Sequence, residues 1–362
     1  MKKNLKTIGG IVLVLVFLAC TLLGYLTIDE YKPAAIEKAD LTGNTGKVIE
    51  TGQEYSALTW NIGYGALGDN ADFFMDGGKM VYTASKKRVR QNLLGMAKKI
   101  DVLNPDILLL QEADRNSSRS YFIDELVYMA DNGSAEVWDY QMAFAPNYKV
   151  SYVPVPIPPI GRVYAGLGVF STFEISDANR IALPCPFSWP LRTFNLKRCL
   201  LELRFPVEGT DKEFVIFDLH LEAYDSGEGK IAQTNMLKEL LAKEMDKGNY
   251  VIAAGDFNQV FSNIDTSKYP ALNGLWQPGT IDIDEFDKRL SFIYDDSYPT
   301  CRSLDRILDN ATEKDPQHFQ YYMVDGFIVS DNIEVHDVAT IDGEFKYSDH
   351  NPVQMKFSLK NN

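Results

Sequence analysis

Six short clusters bring together side chains that can activate water and hold hard cations. They are Trp60-Asn61-Ile62, Gln111-Glu112, His220-Leu221, Asp256-Phe257-Asn258, Val324-Asp325-Gly326 and Ser348-Asp349-His350-Asn351-Pro352. Mg²⁺ prefers a few carboxylate oxygens together with waters and phosphate oxygens, so Glu112 and a second acid are enough to build such a site. Hydrolysis also needs a base that titrates near neutrality, a task suited to histidine. The chain has 4 histidines, and His220 and His350 both fall in these clusters. His318 and His336 lack such company and read as surface or satisfied core residues. Arg115 and Arg119 follow Glu112; their fork geometry could clamp a phosphate, or they could lie on a solvated loop. Lys197-Arg198 has less to recommend it for that role.

Each cluster taken alone has an ordinary reading. Asp256-Phe257-Asn258 could be a turn between strand and helix, His350 a turn residue before Asn-Pro, and Asp325 a strand cap. Their shared placement argues otherwise, because five of the six end an apolar, strand-like run, and Val324-Asp325-Gly326 lies inside the strand-like stretch 321–329. Polar groups just past buried strands are held rigidly at a sheet edge and remain open to solvent, which suits a pocket assembled from many strand ends.

The elements that must position them are readable. Residues 54–60, 213–219 and 249–254 are short β-rich runs, and 106–110 (DILLL) is apolar throughout, as expected of a strand buried on both faces. In 86–102 the positions Val89, Leu93, Met96, Ala97 and Ile100 share one helical face, and Pro105 stops that helix. Leu237, Leu240, Leu241 and Met245 do the same in 231–245, with Gly248 placed to cap it, and a weaker helix is expected over 120–130. Strands covered by helices predict a layered α/β architecture. Pro146, Pro154, Pro156, Pro158 and Pro159 are expected to form an extended loop, since proline removes ladder donors. That loop could be a rigid flap, or its interleaved tyrosines and aliphatics could touch a membrane or an apolar substrate.

The amino terminus has its own character. Residues 8–28 carry no charge over 21 positions, close to the roughly 20 needed to cross a bilayer's hydrocarbon core. Lys2, Lys3 and Lys6 precede this run and Asp29 and Glu30 follow it, so the basic segment 1–7 is expected in the cytoplasm and the remainder outside the cell membrane. A cleaved signal sequence, or a lipoprotein cut before Cys20, are the rival readings, and both also imply export. Polar, glycine-punctuated residues 29–53 read as a linker, followed by one domain over 54–362. In an oxidising compartment Cys185 and Cys199 could pair, which the sequence leaves open. The formal net charge of −14 and the lack of a sustained basic stripe count against a protein that lives by gripping duplex nucleic acid. Lys86, Lys87, Arg88, Arg90, Lys98 and Lys99 do cluster, but on the solvated face of a helix.

Taken together and in this order, the six clusters resemble the endonuclease/exonuclease/phosphatase superfamily, over roughly residues 54–358. Its members include pancreatic-type deoxyribonucleases, abasic-site endonucleases, secreted sphingomyelinases and inositol polyphosphate phosphatases. The resemblance implies an α+β, four-layer sandwich of two mostly antiparallel sheets flanked by helices, with the site at one edge. It implies a metal-dependent hydrolase of phosphoester bonds, using Mg²⁺ or, in its place, Mn²⁺. Asn61, Glu112 and Asp349 would serve the metal and its hydration shell, Asp256 would orient the attacking water, and Asn258 would contact the phosphate, as Arg119 could. His350 looks like the general base, steadied by Asp325. His220 matches a second histidine of the deoxyribonuclease and sphingomyelinase branches, where it bonds the phosphate or the leaving group. A lipid head group or another small phosphodiester is the expected substrate, an extracellular deoxyribonuclease the alternative. A non-catalytic binding module would typically have lost a metal or base residue, and none is visibly missing.

Overall fold

The computed structural model describes residues 2–225, 227–308 and 314–361; Met1 and Asn362, the outermost residues of the expected segments, lie outside them. Ten strands run in chain order as β1 (Ile36–Lys38), β2 (Asp40–Thr42), β3 (Tyr55–Asn61), β4 (Ile107–Asp114), β5 (Gln141–Val153), β6 (Gly161–Ser171), β7 (Asp177–Ala182), β8 (Cys199–Pro206), β9 (Glu213–His220) and β10 (Tyr250–Asp256). With the later strands Leu290–Ile293, Asp325–Ser330, Ile333–Thr340 and Val353–Leu359 they form two seven-stranded sheets. One has the order β1-β7-β8-β9-β10, then Asp325–Ser330 and Leu290–Ile293; the other begins with Ile333–Thr340 and Val353–Leu359 and continues β3-β4-β6-β5-β2.

Each sheet contains one parallel pair, β9/β10 and β3/β4, among antiparallel neighbours. The parallel pairs bring the carboxyl ends of four strands to the same edge of the sandwich. Antiparallel pairing then brings the starts of Asp325–Ser330 and Val353–Leu359 to that edge too, with Asp256 opposite Asp325 and Thr59 opposite Val353. The convergence expected from the sequence is a consequence of this topology.

Three apolar layers hold the sandwich. Between the sheets, Ile107, Leu109, Leu201, Leu203, Phe214, Ile216, Ile252 and Phe357 are buried together. On the outer face of the second sheet, Leu108 and Leu110 pack with Val89, Leu93, Met96 and Ile100. DILLL is apolar because alternate side chains serve two cores. Outside the first sheet, Leu219, Val251 and Ala253 meet Leu237 and Leu241.

The helices are α1 (Lys2–Ile28), α2 (Lys86–Leu103), α3 (Glu125–Asn132) and α4 (Glu228–Asp246). Ser85 caps α2 by accepting from Arg88 N at 3.3 Å. The helix expected over 120–130 begins later: Tyr121 and Phe122 have φ of 58° and 60°, outside the right-handed region, and Asp124 is the residue that caps α3. Gly248, at φ 80°, follows α4 as its amide bonds Met245 O at 2.8 Å.

Three further expectations change. Residues 29–53 are not a free linker: β1 pairs with β7, β2 pairs with β5, and Ile49 bridges Val207, so this segment extends both sheets. Three-residue edge strands carry too little period to be seen in a sequence. Pro146 lies within β5 rather than in a loop; the strand bulges between Pro146 and Tyr148, past the residues paired to β2, where no ladder donor is required of it. The remaining prolines do occupy the β5–β6 connection. Stretch 321–329 is two strands, Tyr321–Tyr322 and Asp325–Ser330, because Thr300 Oγ1 takes the amides of Val324 and Asp325. Cys185 and Cys199 are both free thiols, one exposed and one buried.

Candidate active site

Glu112 reaches the sheet edge by a bulge. The register of β4 against β6 slips between Leu110 and Ala113, and Glu112, at φ 55°, turns its side chain out of the ladder toward solvent. Asn61, ending the adjacent β3, donates from Nδ2 to Glu112 Oε1 and to Asp256 Oδ2, both at 3.0 Å. Its Oδ1 accepts from Gly63 N at 3.0 Å, which leaves one lone pair for a cation. Gly63 must be glycine: at φ 50°, a Cβ would lie 2.8 Å from Asp349 Oδ1.

The other sheet supplies the facing side of the site. Asp256 ends β10 after Gly255, where a Cβ would meet Leu219 O at 2.0 Å. Asp256 Oδ1 accepts from Asn258 N at 2.9 Å, and Oδ2 lies 3.5 Å from His220 Nε2 and 3.7 Å from His350 Nε2. His350 Nδ1 bonds Asp325 Oδ2 at 2.8 Å. The His350 backbone is fixed at both polar atoms, its carbonyl accepting from the Trp60 indole at 2.8 Å and its amide donating to Ser348 Oγ at 3.2 Å. Ser348 Oγ also donates to Asn61 O at 2.7 Å, tying the last cluster to the first.

Burial and crowding shape the charges. Asp349 is pushed up to about 7, by burial and then by the nearby Glu112 carboxylate, with His350 and Arg302 opposing. Burial and Asp325 push Asp256 up to about 6, His350 opposing. Burial disfavours the His350 imidazolium, but Asp325, Cys301 and Asp256 together outweigh it and the ring's pKa lies well above the usual value. His220 goes the other way, driven well below its usual range by burial and by the cations Arg198, His350 and Arg119.

Asn61, Glu112, Asp256, Asp325 and Asp349 thus gather at one sheet edge, and their donor chemistry fits a hard divalent cation. The Glu112 carboxylate raises the cost of ionising Asp349, which a cation between them would relieve. Asp325 Oδ1 is buried with no hydrogen-bond partner among the described residues, as is His220 Nδ1.

Of the residues expected from the sequence, Asn61, Glu112, His220, Asp256, Asp325, Asp349 and His350 come together. Asn258 adjoins them, with Nδ2 donating to Leu221 O at 2.9 Å. Arg119 stacks 3.8 Å from the Tyr64 ring centroid, but its fork is bidentate to Asp114, at 3.1 and 3.0 Å, so the structure spends it on an ion pair. Arg115 pairs with Asp124 at 2.8 Å. His318 lies beside Asp315, and His336 bonds Ser358. Sequence reasoning missed the supports. Buried Arg198 donates to His220 O at 3.0 Å while paired to Glu222 at 3.2 Å. Arg302 donates to the Ser303, Leu67, Gly68 and Ala71 carbonyls, bracing the loop that carries Gly63. Tyr224 OH donates to Asp76 at 2.9 Å, joining the loop after β9 to the loop after β3. None has a local pattern; only the fold brings its partner near.

The model of the Endonuclease/Exonuclease/phosphatase family matches residues 58–350. Similar folds include an endonuclease/exonuclease/phosphatase from Beutenbergia cavernae (18% identity, 85% of this chain and 72% of that one, TM-score 0.56). Another is TDP2 of D. rerio complexed with a single strand DNA product (13% identity, 85% and 100%, TM-score 0.51). A family protein of Bacteroides thetaiotaomicron is also similar (14% identity, 85% and 99%, TM-score 0.50). No curated protein is similar enough in sequence to match. With the family's motifs spanning residues 58–350 and converging on one edge of a two-sheet α+β sandwich, this chain belongs to the endonuclease/exonuclease/phosphatase family of phosphoester hydrolases.

Proposed function

We propose that the chain is a membrane-anchored, extracytoplasmic hydrolase of phosphodiester bonds that works with Mg²⁺, its substrate a lipid head group or another small phosphodiester. The observation that carries this is His350, with Nδ1 on Asp325 at 2.8 Å and Nε2 turned to Asp256. A buried carboxylate fixes the ring's tautomer and steadies the positive charge that forms when the other nitrogen takes a proton.

Glu112 and Asp349, with Asn61 beside them, would hold the cation, which supplies charge neutralisation at the phosphate. Asp256 Oδ2 orients the attacking water, and His350 Nε2, a base only in the neutral ring that a cation beside the carboxylates would favour, takes its proton as oxygen bonds to phosphorus. Asn258 and neutral His220 donate hydrogen bonds to phosphoryl oxygens as the ester bond breaks, and the departing alkoxide takes a proton from solvent water. The anchor reading is supported by α1, a continuous helix whose apolar window has a mean hydropathy of 2.7 and is almost wholly exposed.

The test is turnover by the purified full chain, with Mg²⁺ and with chelator. The substrates are a chromogenic phosphodiester, phosphatidylcholine and sphingomyelin vesicles, inositol phosphates and supercoiled plasmid. Chelator should abolish activity, and His350→Ala should cost about 10²–10⁴-fold in kcat. An H350A protein that keeps native turnover refutes the assignment. Plasmid nicking without lipid or small-diester activity refutes the substrate class.

A further inference from the structure

Three connections leave the sheets at the edge that carries the site. In the antiparallel register, Val153 of β5 lies opposite Gly161 of β6, beyond the pairing of Asp114 with Ala165, so loop 154–160 overhangs the Glu112 end. Ala182 lies opposite Cys199, and Leu200 opposite Leu219, so loop 183–198 leaves beside His220. Ile36, the first residue of β1, lies opposite Ile181, so the chain from α1 enters at the same edge. β1 is three strands from β9, which at about 4.8 Å per strand is ~14 Å.

The end of α1 is docked there. Leu26 is buried, Thr27 Oγ1 accepts from the Trp189 indole at 3.1 Å, and Glu30 pairs with Lys197 at 3.1 Å and Arg192 at 3.4 Å. The two loops form one body, with Phe194, Leu196 and Ile160 packed on Val150, Val153 and Val163. Their tips are apolar and open to solvent: Ile157 is 94% exposed, Val155 52%, Trp189 53% and Leu191 52%. Exposed Lys149 and Arg162 stand at the base of loop 154–160.

We propose that this end of the domain rests on the outer leaflet, with loops 154–160 and 183–198 in the interfacial layer and the scissile phosphoester drawn from a lipid of that leaflet. This rests on the proposed anchor and hydrolase readings. An apolar tip beside a helix exit sits at the depth where indole and aliphatic groups are stable, and the flanking cations suit phosphate head groups. A site three strands, ~14 Å, from β1 then faces lipid rather than bulk water.

The full chain reconstituted in phosphatidylcholine vesicles tests this. Bromination of the acyl chains near the head group should quench the added indole of Ile157→Trp several-fold more than that of Val102→Trp, exposed near the end of α2 at the opposite edge of the sheets; equal quenching overturns the docking. Ile157→Asp should lose at least about tenfold in turnover of vesicle phosphodiester while keeping native turnover of a soluble chromogenic phosphodiester. Loss on neither substrate, or equal loss on both, overturns the proposal. Absence of any turnover by the native chain refutes the hydrolase reading instead, and leaves the quenching result to judge the surface.

Discussion

Replacing Asp325 by asparagine removes one charge from the site and almost no volume. The carboxylate accepts the His350 Nδ1–H at 2.8 Å, with both residues buried, so the bond is charge-assisted and shielded from water. Such bonds contribute about 1.5–3 kcal/mol. At ~1.36 kcal/mol per decade of rate, a contribution made only when His350 becomes positively charged is ~10–150-fold in kcat. The asparagine should occupy the same place, because Thr300 Oγ1 accepts the backbone amide of residue 325 at 3.1 Å. An amide NH₂ turned toward Nδ1 would also force the ring's proton onto Nε2, removing the base and enlarging the loss. KM should stay within about twofold, since Asp325 acts through His350 and touches no substrate. Steady-state kinetics on a chromogenic phosphodiester with Mg²⁺, beside a thermal melt to confirm folding, decides the matter. A folded D325N protein within about threefold of native kcat would refute the role of His350 as base.

Two further outcomes follow from the ion pairs. Arg119→Ala strands Asp114, which is fully buried, and should cost about 3–5 kcal/mol by chemical denaturation; native stability with a KM raised at least tenfold would show that Arg119 serves the substrate after all. Glu244 offers a pH test. Burial alone would raise its carboxyl, yet hydrogen bonds from Arg204, Lys247 and Asn249 hold it at about 2, against 4.5 for an ordinary glutamate. A carboxyl lowered by folding stabilises the fold above its unfolded value, and that contribution fades as pH falls from about 4.5 through about 2. Melting temperatures between those limits should fall more steeply for the native chain than for Glu244→Gln, and parallel curves would contradict the assignment.

The candidate site groups were legible because each sits beside an apolar run long enough to declare itself, as Glu112 does after DILLL. Helix α2 was legible for the same reason: five apolar residues on one face leave little choice of register. Edge strands β1 and β2 were not, since three residues such as Asp40-Leu41-Thr42 have no periodicity and pair only because β5 offers an open edge. Pro146 misled because its ring forbids a ladder donor, but past the residues paired to β2 none is demanded of it. The supports were invisible for another reason. Arg198 looks like one more surface cation until the chain folds its guanidinium under His220 O. Arg119 shows the converse, a cation well spaced for phosphate that the fold commits to Asp114.

The strand Val353–Leu359 inserts between β3 and Ile333–Thr340, and the Trp60 indole meets the His350 carbonyl across 290 positions of sequence. Contacts that distant form late, after much chain has been ordered at entropic cost. Until that strand arrives, β3 is an open edge and His350 has no fixed place. Hydrolytic competence is therefore the final event of folding: a polypeptide stopped short of Val353 holds no finished site and stays inert.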